Sequence, residues 1–125
     1  MLVVEEGHGV AATFQSLGYT AERHDHRAVN TGLTNGVSHR IKTGELKAVW
    51  AQMPTARHVR KDRSFALVAQ LCLWAKLCGE CHVPFVLFGP LNAVRHDPQV
   101  QIAVGNGTLK LTWHRMCHFG LKVDA

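Results

Sequence analysis

Apolar residues come in short runs broken by glycine, and their spacing changes from run to run. Leu2-Val3-Val4 is a continuous apolar triplet that ends at Gly7-His8-Gly9. Val10, Ala11, Phe14 and Leu17 then fall at helical spacing up to Gly18. The pattern predicts a strand, a glycine turn and a helix, with Gly18 as the helix stop. Residues 19–23 read as a second strand that closes on His24-Asp25-His26. Residues 27–38 are polar and glycine-containing, which predicts a loop, with a short helix over 38–43. Residues 47–51 (Lys-Ala-Val-Trp-Ala) form a third strand stopped by Pro54, and 55–61 read as an exposed loop.

In the second half, Asp62 is placed to cap a helix over 62–78. Its inward side is expected to carry Phe65, Val68, Leu71 and Cys72. Residues 84–87 (Pro-Phe-Val-Leu) lack alternation, as expected of a strand buried on both faces. An irregular stretch through Asp97-Pro98 follows. Over 108–116, Leu109, Leu111 and Trp113 alternate with Lys110, Thr112 and His114, which predicts a half-exposed edge strand. Strands alternating with helices imply βαβ units and a mostly parallel sheet. The expected fold is therefore a single α/β domain over 1–125. It is a small Rossmann-like sheet with flanking helices and an edge strand near the C-terminus. The strand ends at Glu6, Asp25, Met53 and Phe88 should converge along one edge, where such sheets hold ligands.

Composition narrows this picture without redirecting it. The 125 residues suffice for one domain, and 46% hydrophobic with 18% charged residues is an ordinary globular balance. The apolar stretch 65–77 is interrupted by Gln70 and Lys76 and is too short to cross a bilayer, so no membrane span is expected. The N-terminus lacks the basic segment and long apolar run of a signal peptide. Four cysteines without secretory context do not imply a disulfide framework. A net charge of +5 is compatible with an acidic partner, nucleic acid included, and leaves the compartment open.

Two local motifs carry candidate chemistry. Cys78-Gly79-Glu80-Cys81-His82 matches the C-x-x-C-H pattern of haem attachment, with Met116 as a conceivable second iron ligand. A zinc site on Cys78, Cys81 and His82 would need Cys117 or His118 as well. The motif lies between a core helix and a buried strand, so a chance match is preferred and no metal is assigned. Arg57-His58-Val59-Arg60-Lys61-Asp62-Arg63 could contact phosphate, but a run of this kind is more often a solvated loop.

The order and spacing of the strand ends resemble the catalytic domain of cytosine-5 DNA methyltransferases. In that family an F-x-G-x-G loop cradles S-adenosylmethionine, and Glu5-Glu6-Gly7-His8-Gly9 stands in its place. The resemblance implies cofactor-binding roles for Gly7 and Gly9, and a ribose-holding role for Asp25 at the end of the second strand. Glu5 replaces the aromatic, and with Glu6 it would repel the cofactor's carboxylate. The family's Pro-Pro-Cys nucleophile corresponds to Met53-Pro54-Thr55, and its Glu-Asn-Pro acid to Phe88-Gly89-Pro90. Thr55 and Phe88 thus stand where the nucleophile and the acid belong. The family's usual third strand and target-recognition region have no counterpart. The resemblance implies a non-catalytic methyltransferase-like module, a binding or structural subunit among protein partners in a larger assembly. The alternatives are a methyltransferase fragment that still binds S-adenosylmethionine, and a haem or metal protein through Cys78, Cys81 and His82.

Overall fold

The computed structural model describes residues 1–29, 31–55 and 60–112. Four strands form one parallel sheet: β1 (Leu2–Val4), β2 (Glu22–His24), β3 (Val49–Gln52) and β4 (Phe85–Phe88). Their spatial order is β2-β1-β3-β4. The helices are α1 (Gly9–Ser16), α2 (Thr31–Lys42), α3 (Lys61–Glu80), α4 (Leu91–His96) and α5 (Pro98–Gly105). The fold is α/β with an all-parallel sheet flanked by helices, and the register aligns Val4 with both His24 and Ala51.

Side-chain alternation divides the sheet into two faces. Leu2, Val4, Val49 and Ala51 are fully buried with Val37 and Ile41 of α2 and Leu67, Leu71, Trp74 and Cys78 of α3. Burial of each such aliphatic side chain stabilises the fold by ~1.5–3 kcal/mol. Met53, Val68, Val94 and Val100 extend this packing toward α4 and α5. On the other face Phe14 of α1 meets Trp50 at a ring separation of 5.0 Å. Right-handed crossovers account for the split, because the connection from β1 to β2 runs one way across the sheet and that from β2 to β3 runs back.

Helix α1 stops as the sequence predicts. Gly18 has φ +91°, the Gly18 N–H donates to the Gln15 carbonyl, and the Tyr19 N–H donates to the Phe14 carbonyl. This is a Schellman closure, and its customary apolar contact is the Phe14–Tyr19 ring pair at 5.9 Å. Tyr19 is therefore spent on the turn, and the second strand starts later than residue 19.

Several expectations are corrected. The loop over 27–38 is largely helix, since α2 starts at Thr31. Asn35 and Gly36 are poor helix formers, but Val37 and Ile41, one turn apart and fully buried, anchor the helix to the sheet. Helix α3 begins before Asp62, whose side chain lies in its first turn, while Arg60 holds the cap position. Val68 and Leu71 face inward and Cys72 is half-buried, but Phe65 is 65% exposed. Strand β4 is half-buried throughout because, among the described residues, it is an edge strand.

The stretch after Pro90 is helical instead of irregular. The Asp97 carboxylate accepts from the Gln99 and Val100 amides, and Pro98 occupies the first helical turn of α5. Within the expected edge strand over 108–116, residues 108–112 form no strand, and residues 113–116 lie outside the described residues.

Candidate functional site at the carboxyl rim

A sheet of this order changes direction between β1 and β3, and its ligand crevice is expected outside their carboxyl ends. Glu5 and Glu6 follow β1 there, and Met53-Pro54-Thr55 follow β3. Asp25 and His26 follow β2, and Phe88 ends β4. The rim convergence expected of Glu6, Asp25, Met53 and Phe88 is present: the Glu5 N–H donates to the His24 carbonyl at 3.0 Å and the Met53 N–H to the Phe88 carbonyl at 2.8 Å.

Glu5 is 2% exposed. Its carboxylate accepts from the Ala11 N–H at 2.9 Å and from the Val10 N–H at 3.3 Å. These belong to the first turn of α1, whose amides have no partner within the helix and favour negative charge. His8, the residue preceding α1, makes no side-chain cap bond, so Glu5 caps the helix from the end of the strand.

Glu6 links the ends of β1 and β3. Its N–H donates to the Gln52 side-chain oxygen at 3.0 Å. Its carboxylate accepts from the Thr55 N–H at 2.6 Å and from the Thr55 hydroxyl at 3.1 Å. Buried His26 brings Nε2 within 2.6 Å of the Gln52 carbonyl and Nδ1 within 3.9 Å of the Glu6 carboxylate. The hydroxyl of Thr55 therefore does have a carboxylate partner. A carboxylate is too weak a base to make an alkoxide of it, and it already serves the backbone of the same residue.

Arg23 stitches the glycine loop from below. Its guanidinium donates to the carbonyls of Gly7, Glu5 and Glu6 and lies 3.6 Å from the Asp25 carboxylate. Asp25 in turn accepts from the Arg27 N–H at 2.8 Å, which opens a short 3-10 turn, His26–Ala28. A Cβ at Gly7 or Gly9 would meet nothing within 4 Å, so the space above both glycines is open. Phe88 lies 6.3 Å from Trp50, ring to ring, and Gly89 backs onto Met53 so closely that a Cβ there would come within 3.0 Å of the Met53 Cβ.

The fit to S-adenosylmethionine follows from these contacts. The glycines leave room, but the amides that would receive the cofactor's carboxylate hold Glu5, and the Asp25 carboxylate is engaged by Arg23 and Arg27. Placed as the resemblance implies, the cofactor's carboxylate would compete with Glu5 for the Val10 and Ala11 amides.

The cysteine motif lies at the opposite end of the sheet. Cys78 is fully buried in the core under α3, and half-buried Cys81 packs against the same cluster. Burial, with a smaller contribution from Cys81, pushes the Cys78 thiol up to about 11. Burial also raises Cys72, with Asp97 adding to it. Such thiols stay protonated and are poor metal ligands or nucleophiles. Among the described residues no group of three or more His, Cys, Asp or Glu side chains is arranged to hold a metal ion. Met116, Cys117 and His118 lie outside the described residues, as do Arg57 to Val59 of the basic run. No described helix is long and apolar enough to cross a membrane.

Sequence reasoning missed Arg23, His26, Glu6 and Gln52 as the residues that hold the rim. The one available signal was the cluster of charge at both strand ends, Glu5-Glu6 and Arg23 to Arg27, which in a converging sheet must pair. Family models, curated proteins and solved structures yield no match to this chain.

Proposed function

We propose that the chain is a non-catalytic, methyltransferase-like α/β module that serves as a binding or structural subunit with protein partners. The observation that carries this reading is Glu5, a buried carboxylate that caps α1 where a cofactor's carboxylate would have to sit. Binding S-adenosylmethionine would require expelling Glu5 and burying a second negative charge beside it. The positions of nucleophile and acid agree with this, since Thr55 is pinned to Glu6 and Phe88 lies tilted against Trp50 at 6.3 Å.

Calorimetric titration with S-adenosylmethionine, and incubation with labelled cofactor and duplex or single-stranded DNA, test the reading. The expected results are no saturable binding and no label in DNA. Label transferred to DNA, and abolished by changing one cysteine, would overturn it.

A further inference from the structure

We propose that Cys78 and Cys81 form a reversible redox site, a disulfide that closes when Cys81 meets a small disulfide such as oxidised glutathione. The site lies at the end of the sheet opposite the carboxyl rim and goes beyond the functional reading above.

Helix geometry brings the pair within range of a bridge. Cys78 lies in the last turn of α3 and Cys81 caps it, the Cys81 N–H donating to the Leu77 carbonyl at 3.0 Å. Three positions along an α-helix separate Cα atoms by about 5 Å, inside the span of about 4.4–6.8 Å that a disulfide accepts. Cβ atoms at that spacing are about 5–6 Å apart, and a disulfide needs about 3.5–4.5 Å. Closure therefore takes a movement of about 1–2 Å.

That movement falls where the helix is already ending. The Val83 N–H donates to the Cys78 carbonyl at 2.8 Å, and His82 between them sits at φ +57°. This is a Schellman closure with histidine in the left-handed position that glycine usually holds. Both cysteines face one cluster, Cys78 fully buried within it and Cys81 packed against it. Cys72, six positions earlier on the same helix, is about 9 Å away along the axis and out of range.

Unequal burial assigns the roles. Half-buried Cys81 meets the oxidant, and fully buried Cys78, its thiol pushed up to about 11 by burial, does not. The Cys81 thiolate attacks one sulfur of the small disulfide, forms a mixed disulfide and releases one small thiolate. Cys78 then attacks the Cys81 sulfur, and the second small thiolate leaves. The two cysteine protons end on the two released thiols. Two protein thiols are thereby oxidised to one disulfide, and the small disulfide is reduced. A bridge drawn against helix geometry is strained, and strained disulfides are the ones that reducing thiols reopen. When closed, it ties the last turn of α3 to the turn that leads into β4.

The test incubates the native full chain with oxidised glutathione, quenches by alkylation, digests with trypsin and reads the peptides by mass spectrometry. Cleavage after Lys76 and Arg95 gives a peptide over 77–95 that holds Cys78 and Cys81 without Cys72 or Cys117. It is expected unalkylated and lighter by two hydrogens, and doubly alkylated once excess reduced glutathione is added before the quench. Cys78→Ala should stop the reaction at a stable mixed disulfide on Cys81. Cys81→Ser should slow modification of Cys78 at least ~10-fold, since the buried thiol then faces the oxidant alone. Should Cys78→Ala misfold by far-UV circular dichroism, Cys81→Ser and the peptide map of the native chain decide. A native chain that stops at the mixed disulfide, or does not react, overturns the proposal. So does a bridge to Cys72 or Cys117 in place of this one, a bridge that reduced glutathione leaves closed, or modification of Cys78 unchanged by Cys81→Ser. None of these outcomes depends on cofactor binding, so failure here is separable from failure of the functional reading.

Discussion

The core beneath α2 and α3 and the carboxyl rim of the same sheet are held by opposite means. In the core, Leu71, Ile41 and Val37 are alike in chemistry and matter through the volume they fill. At the rim, single atoms matter. One carboxylate of Glu5 serves two amides of α1, one carboxylate of Glu6 serves the amide and hydroxyl of Thr55, and one guanidinium of Arg23 serves three carbonyls. The difference teaches what kind of site the rim is. It is a rim at which the protein itself supplies partners to the Glu5 and Glu6 carboxylates and the Arg23 guanidinium.

The contrast can be broken first in the core. Leu71→Ala should lower stability by about 2–5 kcal/mol, read from urea or thermal unfolding, because a fully buried leucine leaves a cavity. A near-neutral result would mean that α3 does not pack on the sheet as described.

At the rim, Glu5→Ala should cost about 1.5–3 kcal/mol, since it removes a charged acceptor from two amides at the start of α1. Loss below ~0.5 kcal/mol, less than a neutral hydrogen bond normally contributes, would show that water replaces the carboxylate without penalty and that the rim is open to a ligand.

The core also predicts a dependence on alkaline pH. The Cys78 thiol is raised from 9.0 to about 11 by burial, so the folded chain holds its proton more tightly than the unfolded one. That stabilisation is complete below pH 9 and is lost as pH climbs toward 11, with a slope of at most ~1.4 kcal/mol per pH unit for one group. Cys78→Ala should flatten this slope. If native Cys78 reacts with a thiol reagent at pH 8 as fast as it does in urea, its burial is disproved.

The smallest effect lies at the β2 edge. Arg40, through its hydrogen bond and charge, holds the Glu22 carboxyl below its usual value of 4.5, and Glu22 raises Arg40 in turn. Because the folded value is depressed, the contribution exists above pH ~4.5 and fades as pH falls through the lowered value. The pair is exposed to solvent, so Glu22→Gln should cost only about 0.2–1 kcal/mol at neutral pH and nothing in acid. A cost that persists at low pH would point to packing instead of charge.

Some of this was legible before any coordinates. Leu2-Val3-Val4, the glycine stop at Gly18 and the apolar spacing through α3 are local signals, and each produced the element it announced. Helix α2 was not legible over its first half, because Asn35 and Gly36 argue against helix and only the burial of Val37 and Ile41 favours it. Helix α5 was read as an irregular stretch: its one local signal is Asp97-Pro98, a cap followed by a first-turn proline, and the surrounding residues lack a strong amphipathic period. The candidate site followed the same division. Gly7, Gly9, Asp25, Thr55 and Phe88 were placed at one rim by strand order, but nothing local reveals what their neighbours do.

The sequence by itself determined the βα alternation, the parallel sheet and the side of the sheet at which any chemistry would gather, because apolar periodicity and glycine stops act within a few residues. Only the tertiary structure decided how the residues gathered there are engaged. Glu5 and Glu6 read as charges that would repel a ligand, and they became internal partners once the fold brought α1, Gln52 and Thr55 within hydrogen-bond reach. Whether a charged group is free or satisfied depends on groups distant in the chain: Glu6 and Thr55 are 49 positions apart and meet at 2.6 Å. Hydrogen bonds act over about 3 Å, so only the fold can set who meets whom.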